Sequence, residues 1–331
     1  MKRLLVVMLS ALLLTGCGSD SAEATVALQE ESVPKETIYT DTVVLDIQEP
    51  ELEVEIIAQP PEPVRPDILE PEAAGEQVAE NEKAVIDYSN IEDGYVMVLY
   101  KGENTGRLKA RVENKNTYTY NLTKGEWSVF PLTDENGTYQ IRIYENISGS
   151  SYALAMAAEL EVTLADEFAP FLRPNQYVNF SEATRAVELA WELTKDIENS
   201  LGKVEVIYDY VVTELTYDNE KARTVKSGYI PVLDDVLAEK KGICFDYASL
   251  MTAMLRSQGI PCKMVFGYTG GAYHAWISVW TEDTGWVDGV IFFDGVAWQR
   301  LDPTFASYEN QSDAIMKYIG NGKNYQEKYF Y

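Results

Sequence analysis

The pattern of hydrophobic residues changes several times along this 331-residue chain, so one uniform fold is excluded. Between Gly94 and Leu164, short alternating runs are separated by turn residues, which is typical of β-strands. From Ser181 the spacing becomes helical, and alternating runs return after Cys262. These changes predict a small all-β sandwich over residues 91–165, followed by an α+β domain over 179–331 in which helices precede an antiparallel sheet.

The same patterns predict individual elements. Strands of the sandwich are expected over 95–100, 108–113, 117–122, 126–131, 138–145 and 153–163. Helices are expected over 181–193 with Ser181 as the N-cap, then over 203–214, 231–240 and 245–258, with a polar loop at 219–226. Strands of the second domain are expected over 262–268, 273–280, 290–293 and 296–302.

The stretch between the N-terminus and the sandwich is acidic and rich in proline. Residues 17–90 hold 19 of the 53 acidic residues but only three of the 27 basic ones, and residues 18–90 hold seven of the 13 prolines. Such a segment buries too little apolar surface to offset its ordering entropy. It is predicted to be a disordered stalk; an acidic ligand-binding arm is the alternative.

Residues 1–16 have the features of a bacterial export signal. Lys2 and Arg3 precede an apolar run that is too short to span a bilayer comfortably, and Leu-Thr-Gly stands directly before Cys17. This arrangement resembles a lipoprotein signal, which implies that the Cys17 thiol carries lipid such as palmitate and becomes the new N-terminus. An ordinary signal peptide or a buried apolar helix is the alternative. Acyl chains on Cys17 would hold the protein on the extracytoplasmic face of a bacterial membrane.

Composition and spacing also argue against several ligand classes. The net charge of −26 comes with no basic stripe or patch, so nucleic acid is an unsuitable partner. A single histidine excludes His-pair zinc motifs, and no EF-hand loop or phosphate-binding glycine loop occurs. No metal and no cofactor are therefore expected.

The two remaining cysteines are predicted to be free thiols. An exported protein makes a disulfide between Cys244 and Cys262 the first possibility to consider. The predicted helix between them, however, separates its ends by roughly 20 Å, whereas a disulfide needs Cα atoms within about 7 Å.

Three residues have the types and the order of a nucleophilic cysteine site. Cys244 begins a predicted helix, where unpaired N–H groups and the helix dipole favour the thiolate. His274, the only histidine, lies on a predicted strand 30 positions later, and Asp302 follows after another 28. Taken singly, each has a plain structural interpretation: a small buried residue, a core histidine and a turn cap. Together they match a nucleophile, its base and a group that orients the base.

Four sequence blocks carry a resemblance to a known family. They are Gly-Ile-Cys-Phe-Asp-Tyr-Ala-Ser-Leu at 242–250, Gly-Ile-Pro-Cys-Lys-Met-Val-Phe-Gly-Tyr at 259–268, His-Ala-Trp at 274–276 and Leu-Asp-Pro-Thr at 301–304. Over roughly residues 185–310 the chain resembles the transglutaminase-like superfamily. The resemblance implies a papain-like core with Cys244 as nucleophile, His274 as general base and acid, and Asp302 orienting the imidazole. It also implies an aromatic oxyanion donor upstream of the cysteine, for which Tyr217 is the candidate beside the Cys244 backbone N–H.

The expected function is that of an extracytoplasmic, lipid-anchored cysteine acyl-transfer enzyme. Its partners are protein or peptide substrates at the cell surface, and their amides pass through a thioester to water or to an amine. Water is slightly favoured because it is the default acceptor. The alternative is a catalytically silent surface adaptor that binds through the sandwich. Trp276, Trp280, Trp286 and Trp298 are either cleft or core residues, and whether the sandwich is a spacer or a substrate-presenting module stays open.

Overall fold

The two predicted folded parts lie in one compact unit. The computed structural model describes residues 62–269, 271–288, 291–293, 298–300 and 325–331, and one unit spans residues 60–331. Within it, an all-β region precedes helices and antiparallel sheets, which confirms the predicted fold class. The stalk up to residue 61, the signal segment, Cys17 and Asp302 lie outside the described residues.

The β-region consists of two four-stranded antiparallel sheets. The first has the strand order β1–β2–β3–β6, and the second has the order β5–β4–β7–β8. Side chains of β5 alternate between exposed and buried, as expected of strands with one face on a core. The strands are β1 (Val78–Glu80), β2 (Ala84–Asp87), β3 (Tyr95–Tyr100), β4 (Leu108–Glu113), β5 (Thr117–Leu122), β6 (Trp127–Pro131), β7 (Gly137–Ser148) and β8 (Ser151–Val162).

The second domain surrounds one buried helix. Its helices are α1 (Arg185–Thr194), α2 (Ser200–Glu214), α3 (Asn219–Thr224), α4 (Leu233–Glu239) and α5 (Cys244–Arg256). Its strands are β9 (Thr216–Tyr217), β10 (Lys241–Gly242), β11 (Cys262–Thr269), β12 (Ala272–Thr281), β13 (Gly285–Asp288), β14 (Ile291–Phe293), β15 (Trp298–Arg300) and β16 (Tyr325–Phe330). Helix α5 packs against α1, α2 and α4 on one side and against β11 and β12 on the other, and every residue from Asp246 to Arg256 is buried.

Two helical predictions differ from the structure. Helix α1 begins at Arg185 rather than after Ser181, because the Ser181 N–H donates to the Thr184 hydroxyl (2.9 Å) in a turn before the helix. The predicted loop at 219–226 contains helix α3. Its N-cap is Asp218, whose carboxylate accepts the N–H groups of residues 220 and 221 at 3.0 and 2.8 Å. A polar segment thus forms a helix because a side chain satisfies its first donors.

The ordered part of the chain begins earlier than the predicted boundary at residue 91. Strands β1 and β2 lie inside the predicted stalk, where the run Ala84–Asp87 places three of its four side chains in the interior. The buried Asp87 carboxylate accepts the Gly75 N–H (2.7 Å) and the Ser89 N–H (2.9 Å). The composition of residues 17–90 is acidic and rich in proline on average, so it does not reveal this short strand-forming run.

Hydrogen bonds and rings join the sandwich to the second domain. The Gln176 carboxamide bonds both the N–H and the C=O of Asn121 in β5, at 3.1 and 2.7 Å. The buried Tyr331 ring contacts Tyr118 and Tyr120 of β5 and Phe266 of β11, with ring centroids 5.5 to 5.9 Å apart. The sandwich is therefore part of the same hydrophobic core rather than a separate body on a linker.

A buried arginine closes the C-terminal end of helix α5. The Arg256 guanidinium donates to the main-chain oxygens of Cys262 (2.9 and 2.7 Å), Arg173 (2.6 Å) and Tyr331 (2.6 Å). The single guanidinium group thus supplies hydrogen-bond donors to main-chain oxygens of three chain segments. This arrangement links the end of α5 to β11 and to the residue that follows β16.

We expect Arg256→Met to destabilise the protein by about 3 kcal/mol, because several buried carbonyl groups lose their donors. The control is Arg107→Met, since the exposed Arg107 also donates to a main-chain oxygen, that of Gly149. Urea unfolding followed by circular dichroism measures both free energies. Equal losses in the two variants would contradict this interpretation of Arg256.

We also expect the fold to lose stability steeply above pH 10. Burial raises the pKa of Tyr177 to about 12 and the pKa values of Tyr118 and Tyr139 further still. In the unfolded chain these phenols ionise near 10. Because the pKa is raised by folding, the stabilisation is complete below pH 10 and is lost as pH rises through the folded values, at about 1.4 kcal/mol per pH unit for each tyrosine. Urea unfolding at pH 8 and pH 11 tests this; equal free energies would contradict it.

Candidate active site

Cys244 is the first residue of helix α5, at the point where a short parallel strand pair ends. Strand β10 pairs with β9, which sets Gly242 opposite Tyr217, and the Asp218 N–H donates to the Gly242 carbonyl (2.8 Å). A Cβ at Gly242 would lie 2.6 Å from the Cβ of Asp246. Glycine is therefore required by this close approach.

The start of α5 is held by a buried carboxylate. Asp246, fully buried, accepts the Ile243 N–H at 2.7 Å and contacts the Lys221 ammonium at 2.8 Å. The Tyr229 hydroxyl donates to the same carboxylate, and burial together with this bond raises the Tyr229 pKa well above its usual value. These contacts join the N-terminus of α5 to α3 and to the turn before α4.

His274 lies on the strand that packs against α5. It stands opposite Gly267 in the β11–β12 ladder and is 7% exposed. Its ring is stacked on that of the fully buried Trp276, with centroids 6.3 Å apart and planes at 25°. Because β11, β12 and α5 are packed together, the imidazole has a fixed environment.

Cys244, His274 and Tyr217 line one cavity of about 470 Å³. The structure thus brings to one site three of the four residues that the sequence assigned to it. The fourth, Asp302, lies outside the described residues, as does Cys17. The thiol is half-buried and the imidazole is buried, and the two line the same open cleft, as a nucleophile and its base must.

Other parts of the cavity wall were not anticipated from the sequence. Asn121 comes from the sandwich, and residues 225–230 come from the segment between α3 and α4. No motif marks either segment; only the packing of β5 against the second domain brings Asn121 into the lining of this cavity. The remaining aromatic lining residues are Tyr177, Tyr229, Phe245, Phe266, Tyr273 and Tyr331.

The tryptophans do not line this cavity where their side chains are described. Trp276 is fully buried in the core. Trp280 packs against Phe168 with centroids 4.5 Å apart, and Trp286 contacts the Lys263 ammonium at 3.7 Å. Trp276 therefore has the core role, whereas Trp280 and Trp286 are only partly buried, and the Trp298 side chain lies outside the description.

The second thiol is a core residue, and both cysteines are free, as predicted from the helix between them. Cys262 is fully buried, with its sulfur 3.6 Å from the Thr252 hydroxyl. Burial raises the pKa of Cys262 to about 12, which keeps it a thiol at neutral pH. Of these two cysteines, Cys244 is the one that a substrate can reach.

A larger cavity of about 600 Å³ lies elsewhere, between Asp134 of the sandwich and Lys263 of β11. None of its described lining residues is a cysteine or a histidine. Across the described ranges, no cluster of three His, Cys, Asp or Glu residues is arranged to hold a metal ion. No helix in those ranges has the length and apolarity needed to cross a membrane.

Two curated proteins are similar to parts of the chain. The uncharacterized protein YebA of Bacillus subtilis is 32% identical over 122 residues, which are 31% of this chain and 17% of that protein. The protein-glutamine gamma-glutamyltransferase of Pseudomonas aeruginosa is 34% identical over 70 residues, which are 17% of this chain and 10% of that enzyme. The chain therefore spans well under two thirds of the length of either relative.

A solved structure and a family model complete the comparison. The crystal structure of red sea bream transglutaminase aligns with 68% of this chain and 53% of its own, at 13% identity and a TM-score of 0.29. The model of the transglutaminase-like superfamily matches residues 187–289, which include Cys244 and His274. This match confirms the resemblance for the blocks at 242–250, 259–268 and 274–276, while the block at 301–304 lies outside the matched range. Over residues 187–289, the chain is thus similar to the transglutaminase-like superfamily.

Proposed function

We propose that the protein is an extracytoplasmic, membrane-anchored cysteine acyl-transfer enzyme that acts on peptide or isopeptide amides. The observation that carries the proposal is that Cys244, at the first position of a buried helix, shares a cavity with the only histidine. The family match over 187–289 supports the reaction class. The membrane location rests on the signal-like segment before Cys17.

In the proposed reaction, the Cys244 thiolate attacks the amide carbonyl carbon and a tetrahedral oxyanion forms. The C–N bond then breaks, the departing nitrogen takes a proton from the His274 imidazolium, and a thioester remains on the sulfur. Water or an amine next gives its proton to His274 and attacks the thioester carbonyl. The C–S bond breaks, and the thiolate is restored. Asp302 is proposed to orient the imidazole through its other nitrogen.

The oxyanion is proposed to accept hydrogen bonds from two donors, one just after β10 and one on β9. One is the backbone N–H of Cys244, which helix α5 leaves without an intrahelical partner. The other is the Tyr217 hydroxyl, since Tyr217 is registered opposite Gly242, two residues before the thiol. Donors fixed by backbone pairing need no reorganisation when charge develops on the oxygen.

We expect His274→Ala to reduce turnover about a thousandfold, because no other histidine exists to carry the proton. Turnover is measured on denatured casein, both as new amino groups and as incorporation of a labelled amine, so that hydrolysis and transfer are both detected. Cys262→Ser is the control and should keep the wild-type rate, because that thiol is buried away from the cavity.

A wild-type rate in His274→Ala would contradict the proposed function, provided that its thermal midpoint stays within a few degrees of the wild type. The alternative, a catalytically silent adaptor, predicts a different result. It predicts that Cys244 reacts with iodoacetamide at pH 7 no faster than N-acetylcysteine does.

We expect Tyr217→Phe to lower kcat about tenfold to a hundredfold, because one oxyanion donor is removed. The rate of Cys244 alkylation by iodoacetamide should stay unchanged, since that displacement forms no oxyanion. Tyr210→Phe is the control, as Tyr210 lies on α2 and outside the cavity lining. An unchanged kcat in Tyr217→Phe would remove this residue from the proposed oxyanion site.

A further inference from the structure

The sandwich contributes a side chain directly to the cavity beside Cys244. Asn121 is on β5, and both its backbone groups are already occupied by the Gln176 carboxamide, at 3.1 and 2.7 Å. The neighbouring Tyr177 hydroxyl donates to the Thr119 carbonyl at 3.3 Å. The backbone of β5 is thereby fixed against the second domain, and the Asn121 side chain has a defined position on the cavity wall.

The orientation of the Asn121 carboxamide follows from its other neighbour. The Lys109 ammonium donates to Asn121 Oδ1 at 2.5 Å, and an ammonium group has no acceptor capacity. The oxygen therefore faces Lys109, and the NH₂ group faces the opposite side. There, a Cβ built on Gly228 of the cavity lining would lie 3.9 Å from Asn121 Nδ2. Asn121 thus presents donors to the cavity.

A lysine stands on the same side of the cavity, on an anchored turn. The Tyr229 N–H donates to the Lys226 carbonyl at 3.2 Å, and Gly228 adopts the positive φ of 89° that such a turn needs. Tyr229 in turn donates to the buried Asp246 carboxylate at the start of α5. Lys226 is exposed, and within the described residues no carboxylate lies within ion-pair distance of its ammonium.

The charged side chains that the structure describes in the cavity lining differ from those of the chain as a whole. The chain has 53 acidic and 27 basic residues, yet no described residue that lines this cavity is Asp or Glu, and Lys226 is among them. A cation and an amide donor therefore line the same open cleft as Cys244. Such a pair attracts oxygen acceptors that carry negative charge.

We propose that Lys226 and Asn121 form an anion-binding subsite, and that the substrate is a peptide with a carboxylate near the attacked amide. This inference rests on the proposed function, since it specifies the substrate of the same thiol. The rings of Phe245, Phe266 and Tyr273 supply an apolar surface for the rest of the peptide, with centroids 4.9 and 5.8 Å apart. The sandwich then takes part in substrate recognition through Asn121.

The test uses two alkylating reagents that differ only in charge, so it needs no knowledge of the natural substrate. Cys244 of the full chain is alkylated with iodoacetate or with iodoacetamide at pH 7, and its modified peptide is quantified by mass spectrometry. The ratio of the two rates is divided by the ratio for N-acetylcysteine. We expect a normalised ratio above one, despite the acidic charge of the protein.

Charge-reversal variants distinguish the effect of the subsite from the effect of the protein's overall charge. Lys226→Glu should lower the normalised ratio about fivefold, because a nearby charge is reversed in a partly enclosed space. Lys124→Glu, the same change outside the cavity lining, should leave the ratio within about twofold because salt screens distant charges. Asn121→Asp should lower the ratio in the same direction as Lys226→Glu, since it replaces a donor by a carboxylate.

A carboxylate can come from an acidic side chain or from the end of a peptide, and protection experiments separate the two sources. Three matched aromatic peptides compete with iodoacetamide: one with glutamate and an amidated end, one with glutamine and an amidated end, and one with glutamine and a free carboxylate. The subsite is supported if either anionic peptide protects Cys244 better than the neutral peptide does and this advantage is lost in Lys226→Glu. The peptide that protects better shows whether the carboxylate comes from a side chain or from the peptide end. Equal protection by all three overturns the subsite.

The outcomes distinguish this inference from the proposed function. If Cys244 reacts with neither reagent faster than N-acetylcysteine does, the proposed function itself fails. If iodoacetamide reacts rapidly but Lys226→Glu and Lys124→Glu change the normalised ratio equally, the thiol is active and only the anion subsite is overturned.

Discussion

The buried Asp246 carboxylate is the group on which the geometry of the site depends. A fully buried carboxylate is costly unless donors surround it, and here they come from three separate segments: the Ile243 N–H, the Tyr229 hydroxyl and the Lys221 ammonium. Those donors can satisfy the carboxylate only if α3, the turn before α4 and the start of α5 occupy fixed positions. The same constraint places Cys244 at a helix end that opens into the cavity.

The sandwich contributes to the cavity through Asn121 and through the contacts that hold β5 against the second domain. The Tyr331 ring packs between β5 and β11, and Gln176 spans the gap to the Asn121 backbone. Removing residues 62–165 would therefore expose core aromatic rings and take away one wall of the cavity. A spacer would need none of these contacts, so the packing favours a role for the sandwich in substrate recognition.

The sequence predicted those elements whose side chains alternate or repeat regularly, and missed those held by a capping side chain or by a partner distant in sequence. Strands β4 and β5 match their predicted bounds because their residues alternate between core and solvent. Helix α3 was missed because its stability comes from the Asp218 cap, and β16 was missed because its partner β11 lies far away in sequence. Within the site, Cys244 and His274 belong to recognisable sequence motifs and could be predicted. Lys226 and Asn121 belong to no motif, and only the fold shows that they line the cavity.

The charge at the cavity also bears on which acceptor takes the acyl group. A lysine side chain that acts as acceptor approaches as an ammonium ion, and it would have to pass the Lys226 ammonium on a turn that Tyr229 holds in place. Repulsion raises the free energy of that approach, while water carries no charge and is unaffected. In the proposed reaction, the lysine that would draw an acidic peptide to the thiol would also disfavour transfer of the acyl group to a charged amine, which is a reason to propose hydrolysis.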